Sequence, residues 1–186
     1  MTKLLLAAAL AAIAAPLPAA AAEPARFSVV TVGKGPDVVL IPGLSSTRDV
    51  WAATAERLKA THRVHLVQLR GFGEPAGINA SGPVLRPFVE ELAAYIRDRR
   101  LKNPAVVGHS MGGLAALMLA TDHPASAGKI MVVDAFPFIG PVFGAETVEA
   151  ITPRAEQMRA MLAGNAGKMT PDFTTRANCP ATLPAR

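Results

Sequence analysis

Cysteine is nearly absent: Cys179 is the only one in 186 residues. A single thiol excludes an internal disulfide, and its isolation gives no metal-ligand spacing. Aromatic residues are also scarce, at 5% of the chain. None interleaves with the basic cluster Arg97, Arg99, Arg100 and Lys102, which reads as a solvated helix end and not as a nucleic-acid patch. The chain carries a net charge of +5, with a sequence pI near 9.9, but its basic residues form no aromatic-lined stripe. Long apolar runs are lacking too, apart from one that covers Leu4 to Ala15 and is shorter than the roughly 20 residues a membrane span needs. Histidine is rare, with four residues, and none follows His123.

What is present begins with the marks of an export signal. Lys3 precedes the apolar run, Pro16 and Pro18 follow it, and Ala20-Ala21-Ala22 fits the small-residue cleavage pattern. Cleavage is expected before Glu23. This predicts a periplasmic or secreted protein with no stable membrane anchor after cleavage. The expected organisation is a signal peptide over 1–22, an α/β core over 23–134, and a partial helical segment with an irregular tail over 135–186. The remaining length suits about one domain.

The core alternates strand and helix. Phe27–Val32 reads as a strand, followed by a turn over 33–37. Val38-Val39-Leu40-Ile41 is a continuous apolar run, as in a buried parallel strand. A helix is expected over 47–60, with Ser46 and Asp49 as a capping pair and Trp51, Ala55 and Leu58 on its inner face. A strand over 63–69 and the turn Arg70-Gly71-Phe72-Gly73 come next. The helix over 85–100 carries the stripe Phe88, Leu92, Tyr95 and Ile96. A short strand, an apolar helix over 112–122 and a buried strand over 129–133 complete the pattern. Such alternation predicts an α/β fold, with a mostly parallel sheet and helices on both faces. Beyond Asp134 two helical stretches are expected, over 145–151 and 153–163, with Thr152 capping the second and Pro153 in its first turn. Met158, Met161 and Leu162 suit either a lid over an apolar pocket or ordinary packing.

One stretch organises the rest. Pro104 to Val107 form a buried strand, and Gly108-His109-Ser110-Met111-Gly112 turns the chain sharply into a helix. This is the Gly-x-Ser-x-Gly arrangement of a nucleophile elbow. Residues without a Cβ are needed on both flanks of so tight a turn. The hydroxyl of Ser110 is then exposed at the carboxyl end of the strand, and free amides at the helix start suit an oxyanion. Asp134, at the end of the next strand, reads either as the acid of a triad or as a turn carboxylate.

These pieces together resemble the α/β-hydrolase superfamily, in its lid-bearing serine esterase-like branch. Leu40-Ile41-Pro42-Gly43-Leu44 with Trp51, Arg70-Gly71-Phe72-Gly73, Gly108 to Gly113, and Val132-Val133-Asp134 match in order over about 29–164. The resemblance implies Ser110 as nucleophile, forming an acyl-enzyme on carboxylic esters or related acyl substrates. It implies the backbone N–H groups of Leu44 and Met111 as oxyanion donors and Asp134 as a candidate acid, with no cofactor and no metal. Two departures stand out. Pro42 occupies a position that often carries His, and Gln68 one that usually carries Asp.

The family's triad histidine lies near the C-terminus, and this chain has none there. His62 precedes its strand, His65 lies inside it, and His123 ends the apolar helix about 15 Å from the elbow at 1.5 Å per residue. His109 adjoins Ser110, with its side chain expected to leave the turn in another direction. Thr170-Pro171-Asp172-Phe173 starts like a further lid helix, but the chain then runs into Asn178-Cys179-Pro180. The expectation is the N-terminal portion of an exported serine hydrolase, shortened by a premature stop, a frame change or a fragmentary gene. The alternatives are a non-catalytic binder of an apolar acyl-type ligand and an inactive fragment.

Overall fold

The computed structural model describes residues 23–165. The expected signal peptide, the start of a further helix at Thr170 and the segment around Cys179 lie outside them. Strands β1 (Phe27–Val32), β2 (Asp37–Ile41), β3 (Arg63–Leu69), β4 (Ala105–His109) and β5 (Lys129–Val133) form one sheet in the order β1-β3-β2-β4-β5. β1 runs antiparallel to β3, and every other pair is parallel. This is the mostly parallel α/β sheet that the alternating pattern predicts.

Period-two alternation divides the strands between two apolar layers. Val38, Leu40, Val64 and Leu66 face helix α1 (Ala52–Leu58), where Ala55, Leu58 and Trp51 cover them. Val39, Ile41, Val67, Leu69 and Val106 face the other way, against α2 (Leu85–Asp98) and α3 (Met111–Asp122). All four residues of the α2 stripe are buried, and Phe27 meets Phe88 and Tyr95 edge-on at 5.3 and 5.8 Å. With Trp51 and α1 on one face and α2 and α3 on the other, the sheet is covered on both sides.

Several local expectations need correction. The first helix starts as a 3-10 turn, Arg48–Trp51, preceded by Thr47 in extended backbone. Ser46 and Asp49 form no cap; the carboxylate of Asp49 instead accepts a hydrogen bond from Thr47 Oγ1 at 3.1 Å. The two helices expected beyond Asp134 are one, α4 (Val148–Asn165), with Pro153 inside it. Thr147 caps it by accepting from the amide of Ala150 at 3.2 Å. Thr152 instead donates its hydroxyl back to the carbonyl of Val148 at 2.7 Å. Between the core and α4, residues Gly140–Phe143 form a 3-10 turn.

β5 is also not the buried strand its composition predicts. Met131 is 59% exposed, and Ile130 and Val133 are each 37% exposed. Within the described residues β5 is the sheet edge, paired with β4 on one side only. Of α4, the residues from 152 to 160 are exposed. The helix leans on the 3-10 turn through Phe143, whose ring lies 4.9 Å beneath the Arg154 guanidinium. Together they frame a notch of about 460 Å³ lined by Phe143, Ala150, Ile151 and Arg154. Met158, which suits either a lid or ordinary packing, is 44% exposed.

Candidate active site

The turn between β4 and α3 is as tight as its glycines demand. A Cβ on Gly108 would lie 2.0 Å from the carbonyl oxygen of Gly112, and one on Gly112 would lie 2.4 Å from that of Ile41. Both distances are impossible for any side chain, so the first turn of α3 rests directly on the end of β2. Ser110 pivots between strand and helix at φ 52°, ψ −118°. A residue with a Cβ held there costs about 1–3 kcal/mol, and such strain collects at functional sites. Its amide donates to the carbonyl of Val133 at 2.9 Å, and its own carbonyl accepts from Leu114 at 3.1 Å. The backbone is thus bonded on both sides, while the hydroxyl has no hydrogen-bond partner among the described residues.

Leu44 lies in the loop after β2. A Cβ on Gly43 would lie 3.0 Å from His109 Nδ1 and 3.2 Å from Ser110 Cβ, so this loop passes directly beside the elbow. The N–H of Leu44 donates no bond among the described residues. That of Met111 opens α3, where no intrahelical acceptor exists. The Leu44 side chain is 55% exposed. The loop leading to Leu44 and the start of α3, the two segments expected to carry oxyanion amides, therefore both adjoin Ser110.

Asp134 follows β5 directly, and the register pairs His109 with Val133, so Asp134 stands beside Ser110 at the carboxyl edge. Its backbone has φ 49°, and its side chain is exposed with no partner among the described residues. Ser45 shares this left-handed habit at φ 58°. Three non-glycine residues in a disfavoured conformation therefore follow β2, β4 and β5.

The histidines are dispersed. The His109 ring lies against Gly43, where a Cβ would stand 3.0 Å from its Nδ1, and makes no hydrogen bond to Ser110 among the described residues. His62 bonds Thr61 Oγ1 at 2.8 Å, and His123 Nε2 lies 2.9 Å from Glu90. His65 is 3% exposed inside β3. It sits between Asp37 Oδ1, 2.9 Å from Nε2, and the Tyr95 hydroxyl, 2.8 Å from Nδ1. Burial holds this imidazole below its ordinary range, against the opposing pull of Asp37. Burial also opposes ionisation of Asp37, but hydrogen bonds from Arg63 and His65 outweigh it and hold the carboxyl below the usual range. Among the described residues no three His, Cys, Asp or Glu side chains group as a metal site.

A family model described as "Alpha/beta hydrolase family" matches residues 38–185. The chain belongs to that family. Among curated relatives, the chain is 35% identical over 107 residues to a pimeloyl-[acyl-carrier protein] methyl ester esterase of Vibrio vulnificus, covering 58% of this chain and 40% of the relative. An Aeromonas hydrophila enzyme of the same name is 35% identical over 110 residues, covering 59% of this chain and 42% of its own. Among solved structures, a marine microorganism esterase superposes with TM-score 0.51 at 28% identity, covering 57% of this chain and 41% of that one. The chain thus spans about two fifths of the length of the relatives it matches.

Sequence reasoning missed two polar features. Glu91 lies off the apolar stripe of α2, and its carboxylate accepts the amides of Ala25 and Arg26 at 2.7 and 2.9 Å. Gln68 was noted only as a departure from the family pattern, yet it is 3% exposed and bonded on every side. A polar residue inside an apolar strand pattern was the signal available in both Gln68 and His65.

Proposed function

We propose that this hydrolase attacks carboxylic esters through Ser110. Support comes from the elbow: a strained serine with an unpartnered hydroxyl among the described residues, followed by the free amide of Met111, with the loop that leads to Leu44 passing beside it. In this reading Ser110 Oγ adds to the ester carbonyl carbon as its proton passes to a base. The tetrahedral oxygen takes its negative charge between the two amides, each contributing about 3 kcal/mol in the transition state. Collapse breaks the bond to the alkoxy group, which leaves as the alcohol after taking up a proton. Water then splits the acyl-enzyme to the acid and restores Ser110. Asp134 is the candidate acid for orienting the base. The methyl ester esterases among the relatives favour a small alkyl ester of an acyl chain as substrate.

No imidazole bonds Ser110 among the described residues. That observation favours a second reading, in which the same edge holds an apolar acyl ligand without turning it over. We also propose export with Glu23 as the first mature residue. The signal-like N-terminus supports this, as does the fastening of the next residues: Glu23 pairs with Arg99, and Ala25 and Arg26 with Glu91.

A serine-directed fluorophosphonate applied to the exported fraction of the native cells, beside a Ser110→Ala strain, tests the reading. A Ser110-dependent labelled band supports the hydrolase, and its size on a gel shows whether the active form is longer than this chain. No label, with the mature chain present and folded, overturns catalysis in favour of ligand binding.

A further inference from the structure

We infer that Gln68 is the positioning residue of the oxyanion loop. The inference rests on the reading of Leu44 given above, and it assigns the part that holds that amide in place. Gln68 is the next-to-last residue of β3 and is 3% exposed. Its Oε1 accepts the backbone N–H of Arg48 at 2.7 Å. Its Nε2 donates on the other side, to the carbonyl of Phe72, with those of Leu69 at 3.3 Å and Ser46 at 3.5 Å alongside. One carboxamide therefore joins the loop carrying Leu44 to the turn Arg70-Gly71-Phe72-Gly73.

The two loops also touch directly. A Cβ on Gly73 would lie 2.8 Å from Thr47 Cγ2. The oxyanion loop's own backbone bonds are long, Ser46 to Gly43 and Val50 to Thr47 at 3.3 Å each, so the bond to Gln68 is its shortest backbone fastening. The Arg48 side chain extends the clamp to the other strand edge, pairing with Glu74 at 2.6 Å and with Ser28.

The chemistry calls for an amide at this place. The group must accept from one N–H and donate to carbonyls at the same time. An ionised carboxylate only accepts, and would set its charge against the oxygens of Phe72 and Leu69. The Gln therefore serves both loops with no charge at all, and its hold on the loop does not change with pH.

Hydrogen exchange on the full chain tests this, with Gln68→Met and Gln68→Glu beside the unaltered protein. In Gln68→Met the peptide over 44–48 should exchange at least about tenfold faster, while the β4–α3 peptides keep their protection. The Trp51 emission, the only tryptophan signal in the chain, should shift with it. In Gln68→Glu the acceleration should appear when the carboxyl is ionised and reverse on acidification, after correction for intrinsic exchange, because a protonated carboxyl donates again. This reversal, which a merely space-filling residue would not show, is read within one folded protein even where Gln68→Met fails to fold. Unchanged exchange over 44–48, or a Gln68→Glu response indifferent to pH, overturns the clamp. Fluorophosphonate labelling of Ser110 should slow at least about tenfold in Gln68→Met; faster loop exchange with unchanged labelling overturns the link to the oxyanion site. An unlabelled parent protein overturns the hydrolase reading alone, and the exchange result still decides the clamp.

Discussion

Two polar clusters at opposite edges of the sheet are built in opposite ways. At the amino edge Asp37, Arg63, His65 and Tyr95 converge from β2, β3 and α2, and the polar atoms of His65 and Asp37 are paired inside the protein. At the carboxyl edge Ser110 and Asp134 stand on strained backbone with their side chains unpaired. The amino edge even holds an acid–imidazole–hydroxyl chain, the same three chemical types that a serine hydrolase needs. Its hydroxyl belongs to Tyr95, and burial pushes that phenol up and away from ionisation. Residue types alone therefore do not make a site. Groups whose bonds are all satisfied internally contribute stability, and groups left unsatisfied on rigid elements are free for a substrate.

The sharpest way to break this contrast is Asp37→Ala. It removes the acceptor of His65 Nε2 and of the Arg63 fork, whose second bond to Asp37 measures 3.0 Å. A buried imidazole without its partner should cost about 3 kcal/mol, softened because Arg63 can turn to water. Urea unfolding should show this as a lower midpoint with an unchanged slope. Asp134→Asn, at the other edge, keeps a residue that tolerates φ 49° and should change stability by less than about 0.5 kcal/mol. Equal losses at the two edges would dissolve the distinction.

Much of the frame was legible because it is local. The α2 stripe follows helical spacing, and β2, β3 and β4 sit where period two and apolar runs place them. The elbow was legible because its Gly-x-Ser-x-Gly pattern is local, with Gly108 answering to the carbonyl of Gly112 inside it, although Gly112 answers to Ile41 of β2. β5 was misjudged because an apolar run reads the same whether its faces are covered or open. α4 was split because Pro153 suits a first turn equally well as an interior position that leaves one carbonyl without a donor. The amino-edge network was out of reach for a different reason. Residues 37, 65 and 95 meet only through parallel pairing and helix packing, and neither leaves a local trace. The same holds for Gln68, whose partners belong to two loops.

The contrast also makes a statement about acid. Both His65 and Asp37 titrate below their ordinary ranges in the folded protein, so the unfolded chain binds the extra protons first. Stability from His65 is complete above its ordinary value of 6.5 and is lost as pH falls below it. Asp37 adds a second loss below 3.8. In His65→Gln the amide can still bond Asp37, but nothing titrates. Urea midpoints measured between pH 7 and pH 5 should therefore fall in the parent protein and stay level in this variant. A parallel fall in both would assign the acid response to other groups.

The carboxyl edge makes the reverse claim, that its strain is a cost carried for function. Ser110→Gly removes a Cβ from φ 52°, ψ −118°. Relief of about 1–3 kcal/mol is offset by the 0.5–1 kcal/mol that glycine's flexibility takes from the folded state, leaving a gain of about 1 kcal/mol. Ser81→Gly is the control: Ser81 has φ −147°, ordinary extended backbone, so only the glycine penalty remains there and the midpoint should drop. A gain at Ser110 alone would mean that the serine sits where chemistry, and not folding, requires it. A loss at both positions would mean that the turn is relaxed and that its unusual angles carry no information about function.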